Sequence, residues 1–305
     1  MTDPLVWLPF PPADLGDPPG GLRYELVRPD RGELPESAAE VELFVPAYQL
    51  GPMPPDLFAR MPRLRVVQTM TAGVDHLRAS VPAGVLLCNG RGIHDTATAE
   101  QALTLVLASL NRLQEFGHAQ DRGTWEPRWR RGLADRNVLI VGHGQIGSAI
   151  ERRLLPFECE VTRVARSARP GVHAVADLPD LLPSADVVVL ILPGTAQTRG
   201  LFDAAMLARM KDGALLVNVA RGNVVVSADL CAELESGRLY AAVDVTDPEP
   251  LPADDPLWKA PQLLITPHVG GASAAMWPRA HRLVREQLAR YAAGEPLVNQ
   301  MTGDY

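Results

Sequence analysis

Cysteine is scarce in this chain: Cys88, Cys159 and Cys231 are the only three in 305 residues, and no two have metal-ligand or redox-pair spacing. That excludes a disulfide scaffold and a zinc ribbon, and it fits reduced thiols in the cytoplasm. No metal site is expected. Long apolar runs are missing as well. The purest, at 187–192, has six residues, against the ~20 that a membrane-crossing helix needs. The start, Met1-Thr2-Asp3-Pro4, lacks the basic segment of a secretory signal. A cytoplasmic protein with no membrane partner is therefore expected. A basic excess is also absent: 29 Lys and Arg stand against 36 Asp and Glu, a formal net charge of −7. That balance argues against nucleic-acid binding, while a local cation can still serve a small anionic substrate. What is present is an ordinary globular composition, 47% hydrophobic and 21% charged, long enough for two domains.

Short β-rich apolar runs alternate with helical stretches, which predicts an α/β fold with parallel sheets. Residues 138–141, 161–165, 187–192, 215–219, 241–245 and 263–266 are apolar without strict alternation. Strands covered by helices on both faces have that pattern, so a doubly wound (Rossmann) sheet is expected there. A weaker series at 5–8, 24–27, 43–45, 64–68 and 85–88 predicts a second, smaller α/β domain, with 9–21 a Pro/Gly-rich loop. Between the two series, Thr98-Ala99-Glu100-Gln101 fits a hydroxyl-capped helix start with Gln three residues on. The helix that follows, through Leu103, Leu105, Val106, Leu107, Leu110 and Leu113, is apolar around most of its circumference. It must be buried on several sides, at a domain or dimer boundary or inside a core. Residues 279–291 predict a last helix ending near Gly294.

The chemistry is concentrated after the strands. Gly142-His143-Gly144-Gln145-Ile146-Gly147 stands between a predicted strand and a predicted helix, the setting that makes a glycine signature a dinucleotide site. Gly142 allows the turn, Gly144 the approach of pyrophosphate, and Gly147 close helix–strand packing. The amides of Gln145 and Ile146 would face the phosphates. An Asp or Glu about 20 residues on would select NAD, yet residues 161–169 contain no acid. Arg166 and Ser167 suit a 2′-phosphate instead, with Arg163 or Arg169 as substitutes. NADP(H) is the expected cofactor and NAD(H) the alternative. Three further polar residues end apolar runs: Arg221, Glu249 and His268. An imidazole can exchange a proton near neutral pH, a carboxylate beside it favours the imidazolium, and a guanidinium can hold a substrate carboxylate. Together they suit hydride exchange with a small 2-keto or 2-hydroxy acid.

In this order these motifs resemble the D-isomer-specific 2-hydroxyacid dehydrogenases over nearly the whole chain. The resemblance implies a Rossmann cofactor domain at 96–279 and a discontinuous, flavodoxin-like substrate domain at 1–95 with 280–305. It makes Arg221, Glu249 and His268 the catalytic residues. It assigns Leu192, Pro193 and Thr198 to the adenosine side, and Val219, Ala220, Asp244 and Thr98 to the nicotinamide side. It gives the substrate carboxylate to the amides of Ala72, Gly73 and Val74, with Asp75 and His76 structural and Leu50 and Met53 near the pocket. It also implies a homodimer. Trp125 and Trp129 lie where some members reach into the partner's pocket, or else anchor a connection. The expected activity is NADPH-preferring reduction of glyoxylate or hydroxypyruvate. A D-3-phosphoglycerate dehydrogenase and a nicotinamide-sensing corepressor or scaffold are the alternatives; a formate dehydrogenase is disfavoured by Glu249.

Overall fold

The computed structural model describes residues 3–29, 34–48 and 56–302. The chain forms two compact units, Met1–His94 with Ala274–Tyr305, and Asp95–Ser273. Leu50 and Met53 lie outside the described residues.

In the first unit, β1 (Leu5–Leu8), β2 (Arg23–Leu26), β3 (Val41–Phe44), β4 (Val66–Gln68) and β5 (Leu86–Cys88) pair in parallel in the order β2-β1-β3-β4-β5. β1 is buried along its whole length because alternate residues go to opposite covered faces. Val6 and Leu8 join one apolar cluster, Leu5 and Trp7 the other. A single helical turn, α1 (Asp75–Arg78), follows β4.

The second unit opens with α2 (Asp95–Leu110) and α3 (Leu113–Asp121). A seven-stranded parallel sheet follows, with β6 (Asn137–Val141), β7 (Glu160–Ala165), β8 (His173–Ala174), β9 (Val187–Leu190), β10 (Leu215–Asn218), β11 (Tyr240–Val243) and β12 (Leu263–Ile265). Its order is β12-β11-β10-β9-β6-β7-β8. The direction of winding reverses between β6 and β9, so a crevice opens beyond their carboxyl ends. The helices between the strands are α4 (Gln145–Leu154), α5 (Leu178–Leu181), α6 (Ala204–Leu207) and α7 (Ser227–Glu235). Val187 and Val189 pack with α2 and α4 residues on one face, and Val188 and Leu190 fill the other. The chain then returns to the first unit as α8 (Met276–Ala293), which buries Met276, Ala280, Val284 and Leu288 along one stripe and ends at Gly294 in left-handed conformation.

Two local expectations need correction. The helix expected to start at Thr98 starts at Asp95, behind a turn in which Gly92 has φ 94°. A hydroxyl cap is worth only about 1 kcal/mol. Ala97, in the added first turn, is buried and favours extending the helix to Asp95. Nor does the helix run on through Leu113. Arg112 adopts φ 58° and begins a new helix, leaving Leu113 56% exposed.

Candidate active site

Glycine shapes the turn after β6. Gly142 has φ 115°, and a Cβ there would lie 2.2 Å from the Ile191 carbonyl oxygen. A Cβ at Gly147 would lie 2.3 Å from the Gly142 carbonyl oxygen, so α4 approaches β6 this closely only with glycine there. Gly144 differs. It precedes α4 with ordinary extended backbone, and a Cβ would meet nothing within 4 Å. Packing therefore accounts for Gly142 and Gly147, whereas Gly144 keeps a space open. No side chain caps α4, and first-turn amides such as Gln145 and Ile146 have no intrahelical acceptor. The open space and the uncapped amides at the winding reversal fit a dinucleotide pyrophosphate.

The turn after β7 sorts the arginines. Arg163 donates from Nε to Glu151 Oε1 at 2.7 Å, and His143 Nε2 lies 2.7 Å from Glu151 Oε2. The bond from Arg163, reinforced by His143, holds the Glu151 carboxyl below its usual range despite partial burial. Arg163 is thus tied to α4. Arg169 donates to the His143 carbonyl oxygen at 2.6 Å, at the glycine loop itself. Arg166 and Ser167 are exposed on the same turn. After β9, Thr198 Oγ1 donates to the Pro193 carbonyl at 2.7 Å and accepts from the Thr195 amide at 2.9 Å, knitting the loop that begins at buried Leu192.

Arg221, Glu249 and His268 follow β10, β11 and β12 and come together within the second unit. A Cβ on Gly222 would fall 1.8 Å from the Thr246 carbonyl oxygen, so glycine lets the Arg221 loop lie against the Glu249 loop. Asn218, buried at the end of β10, donates to the Arg221 carbonyl and accepts from the Ala220 amide, both at 3.0 Å. Its sequence signal was a lone polar residue inside Val217-Asn218-Val219. Glu249 Oε1 accepts from the Thr246 amide at 3.0 Å, which aims Oε2 at His268 Nδ1, 2.7 Å away. With Nδ1 turned to Glu249, Nε2 is the nitrogen that can exchange a proton with a substrate.

The charges agree with that role. Hydrogen bonding to Glu249 raises the His268 pKa above its ordinary value, against burial and the nearby Arg221 charge, and the Glu249 and Asp244 charges add to the rise. Burial alone would push the Glu249 carboxyl up, but His268, the Thr246 amide and Arg221 hold it below the usual range. His268 also has a left-handed backbone, φ 52°, which costs a non-glycine residue about 1–3 kcal/mol unless its surroundings enforce it.

The enforcing group is Asp244, which is 3% exposed. Its backbone carbonyl accepts from the His268 amide at 2.7 Å. Its Oδ1 accepts from the Val269 amide at 3.0 Å and its Oδ2 from the Gly270 amide at 2.8 Å. Thr98 is buried within α2, and Val219 and Ala220 are buried before Arg221. In the first unit, the carbonyls of Thr71, Ala72 and Gly73 are tied down by Thr69 Oγ1, Asn89 Nδ2 and Thr71 Oγ1 at 2.8–2.9 Å, and Val74 is buried. Trp125 and Trp129 are 96% and 95% exposed. Among the described residues, no group of acids, histidines and cysteines could hold a metal ion, and no helix is long and apolar enough to cross a membrane.

Residues 103–270 match the family described as D-isomer specific 2-hydroxyacid dehydrogenase, NAD binding domain. A human protein named glyoxylate reductase/hydroxypyruvate reductase is 33% identical over 252 residues, 78% of this chain and 77% of its own length. D-3-phosphoglycerate dehydrogenase of Mycobacterium tuberculosis is 32% identical over 282 residues, 88% of this chain but 52% of that protein. Among solved structures, a D-isomer specific 2-hydroxyacid dehydrogenase from Xanthobacter autotrophicus Py2, in complex with NADPH and MES, superposes with TM-score 0.83 at 31% identity. That match covers 99% of this chain and 98% of the other.

Proposed function

The chain belongs to the D-isomer specific 2-hydroxyacid dehydrogenase family and is an NAD(P)-dependent oxidoreductase, and on that premise we propose that it is an NADPH-preferring reductase of small 2-keto acids such as glyoxylate or hydroxypyruvate. The observation that carries the proposal is the His268–Glu249 hydrogen bond at 2.7 Å beside Arg221, all three beyond the carboxyl ends of adjacent strands.

The nicotinamide supplies the hydride when bound. Arg221 pairs with the substrate carboxylate and draws electron density from the carbonyl, work that suits a fixed guanidinium fork. His268, protonated and held by Glu249, donates its Nε2 proton to the carbonyl oxygen as that oxygen gains charge, and neutral His268 takes the proton back in oxidation. In the first unit, the backbone amides of Ala72, Gly73 and Val74 are the proposed ligands of a carboxylate. Gly142, Gly144, Gln145, Ile146 and Gly147 receive the pyrophosphate; Leu192, Pro193 and Thr198 take the adenosine side. Thr98, Val219, Ala220 and Asp244 take the nicotinamide side. Asp244 Oδ2 accepts from Gly270 and, as a carboxylate oxygen, has a lone pair for a carboxamide N–H.

The NADPH preference is supported by the acid-free turn after β7, by exposed Arg166 and Ser167, and by Arg169 on the glycine loop. A homodimer and a cytoplasmic setting complete the proposal. The test is loss of reduced-nicotinamide absorbance with NADPH and NADH against glyoxylate, hydroxypyruvate, pyruvate and phenylpyruvate. Faster turnover with NADPH than with NADH, on glyoxylate and hydroxypyruvate, is expected. NADPH binding without turnover on any keto acid would favour a sensor or scaffold, and NAD-dependent oxidation of 3-phosphoglycerate would favour the phosphoglycerate enzyme.

A further inference from the structure

Glu249 fixes the His268 ring, but the backbone that carries the ring is fixed from another direction. The Asp244 backbone carbonyl accepts from the His268 amide, and its carboxylate accepts from the next two amides, Val269 and Gly270. A Cβ on Gly270 would sit 2.8 Å from Asp244 Oδ2 and 3.6 Å from Gln101 Cγ, so the loop, the carboxylate and the Gln101 side chain are in close contact. Thr266 Oγ1 lies 2.6 Å from Asp244 Oδ1, and Gln101 Nε2 lies 2.9 Å from Thr266 Oγ1 and 3.5 Å from Asp244 Oδ1. Gln101 stands on α2, 165 residues from Thr266 in sequence.

Donor accounting leaves one arrangement. The Asp244 carboxylate only accepts, so the short contact to Thr266 requires the single hydroxyl proton of Thr266 to point at it. The oxygen of Thr266 must then accept from its other neighbour. The Gln101 amide nitrogen supplies that bond; its oxygen could not. Gln101 thereby locks the direction of the Thr266 hydroxyl, and Thr266 with the loop amides locks the Asp244 carboxylate.

We propose that Gln101 is a positioning residue for His268, acting through Thr266 and Asp244 to hold the left-handed backbone from which the imidazole reaches Glu249. This rests on His268 as the acid/base of the proposed reaction. Without the amide, the Thr266 hydroxyl turns to other partners, the Asp244 carboxylate loses its fixed orientation, and the His268 backbone relaxes. The ring then leaves the Glu249 oxygen. The charged groups acting on the ring are Glu249, Arg221 and Asp244, and only the bond to Glu249 depends on where the loop places Nδ1.

The experiment compares Gln101→Met, Thr266→Val, their double variant and His268→Gln in the full chain. Gln101→Met keeps side-chain length and removes the donor; Thr266→Val removes the relay. Each single variant should lower kcat for keto-acid reduction about ten-fold, below the ~10²-fold that a ~1 Å misplacement of a reacting group can cost. The alkaline limb of kcat/KM should move to lower pH, because the imidazolium loses part of its carboxylate partner. The double variant should be no worse than either single one. A merely structural role would lower the melting temperature and the active fraction without moving the limb. Wild-type kcat and limb in Gln101→Met, or additive losses in the double variant, overturn the brace. If His268→Gln is inactive while Gln101→Met behaves as wild type, the acid/base assignment stands and only the brace fails. If His268→Gln keeps full turnover, both fall.

Discussion

A proton shared by two side chains sets the working pH of the proposed reaction. His268 is half exposed and Glu249 about a third exposed, at 51% and 36% of their side-chain areas, so their attraction matters as a pKa shift more than as stability. The Glu249 bond is the largest influence raising the His268 pKa. Reduction needs the imidazolium, so kcat/KM should fall as pH rises through that raised value. In Glu249→Gln the carboxylate charge is gone and the pKa drops toward the ordinary histidine range. The alkaline limb of reduction should therefore shift to lower pH, with a loss on the order of 10²-fold above neutrality, the low end of what acid–base catalysis contributes. Oxidation needs neutral His268, so its acid limb should shift to lower pH as well. pH profiles run in both directions check the sign, and a shift to higher pH in either would refute the assignment of proton donor.

At the scale of one strand–turn–helix element, the proposed cofactor role of the glycine loop separates folding from binding. Gly147→Ala forces a methyl to 2.3 Å from the Gly142 carbonyl oxygen, which should push α4 off β6 at a cost of ~1–3 kcal/mol. Gly144→Ala meets nothing in the protein, so its melting temperature should be unchanged while the Kd for NADPH rises ten-fold or more. Paired melting curves and NADPH titrations test this. Loss of stability in Gly144→Ala, or unchanged NADPH binding, would mean that Gly144 does not face the cofactor. The packing roles of Gly142 and Gly147 were legible in sequence because the apolar run before them admits one strand assignment. β8 was not legible, since two edge residues make no pattern. Gln101 was misjudged for a different reason. Three residues after Thr98 it matches a capping box, yet its side chain is bonded to Thr266, a partner that only the winding of the sheet brings near. Asn218 was missed likewise, because a buried polar residue inside an apolar segment announces a partner without naming it, and Glu151 opens the charged run Glu151-Arg152-Arg153, which reads as a solvated helix face.

On the scale of the whole molecule, the proposed homodimer rests on an exposed segment of the second unit. Arg122, Glu126 and Arg128 form an ion-paired chain that reaches Glu115 on α3, and Arg130 donates to Asn111 at 2.6 Å. These contacts hold the segment while leaving Trp125 and Trp129 almost fully exposed. Two indoles fixed in water are an uncovered apolar surface, and buried tryptophan is among the side chains that dominate protein interfaces. A second copy of the chain is the proposed cover. At ~2 kcal/mol for each indole buried at an interface, Trp125→Ser with Trp129→Ser should raise the dimer Kd by roughly 10²-fold or more. Sedimentation of wild type and double variant across a concentration series measures this. The wild type is expected to be dimeric with blue-shifted indole emission, and the variant to dissociate while keeping its NADPH affinity. A monomeric wild type would refute the dimer. A dimer indifferent to both substitutions would put its interface away from this segment; the two indoles, almost fully exposed, do not anchor the connection from α3 to β6 within the chain.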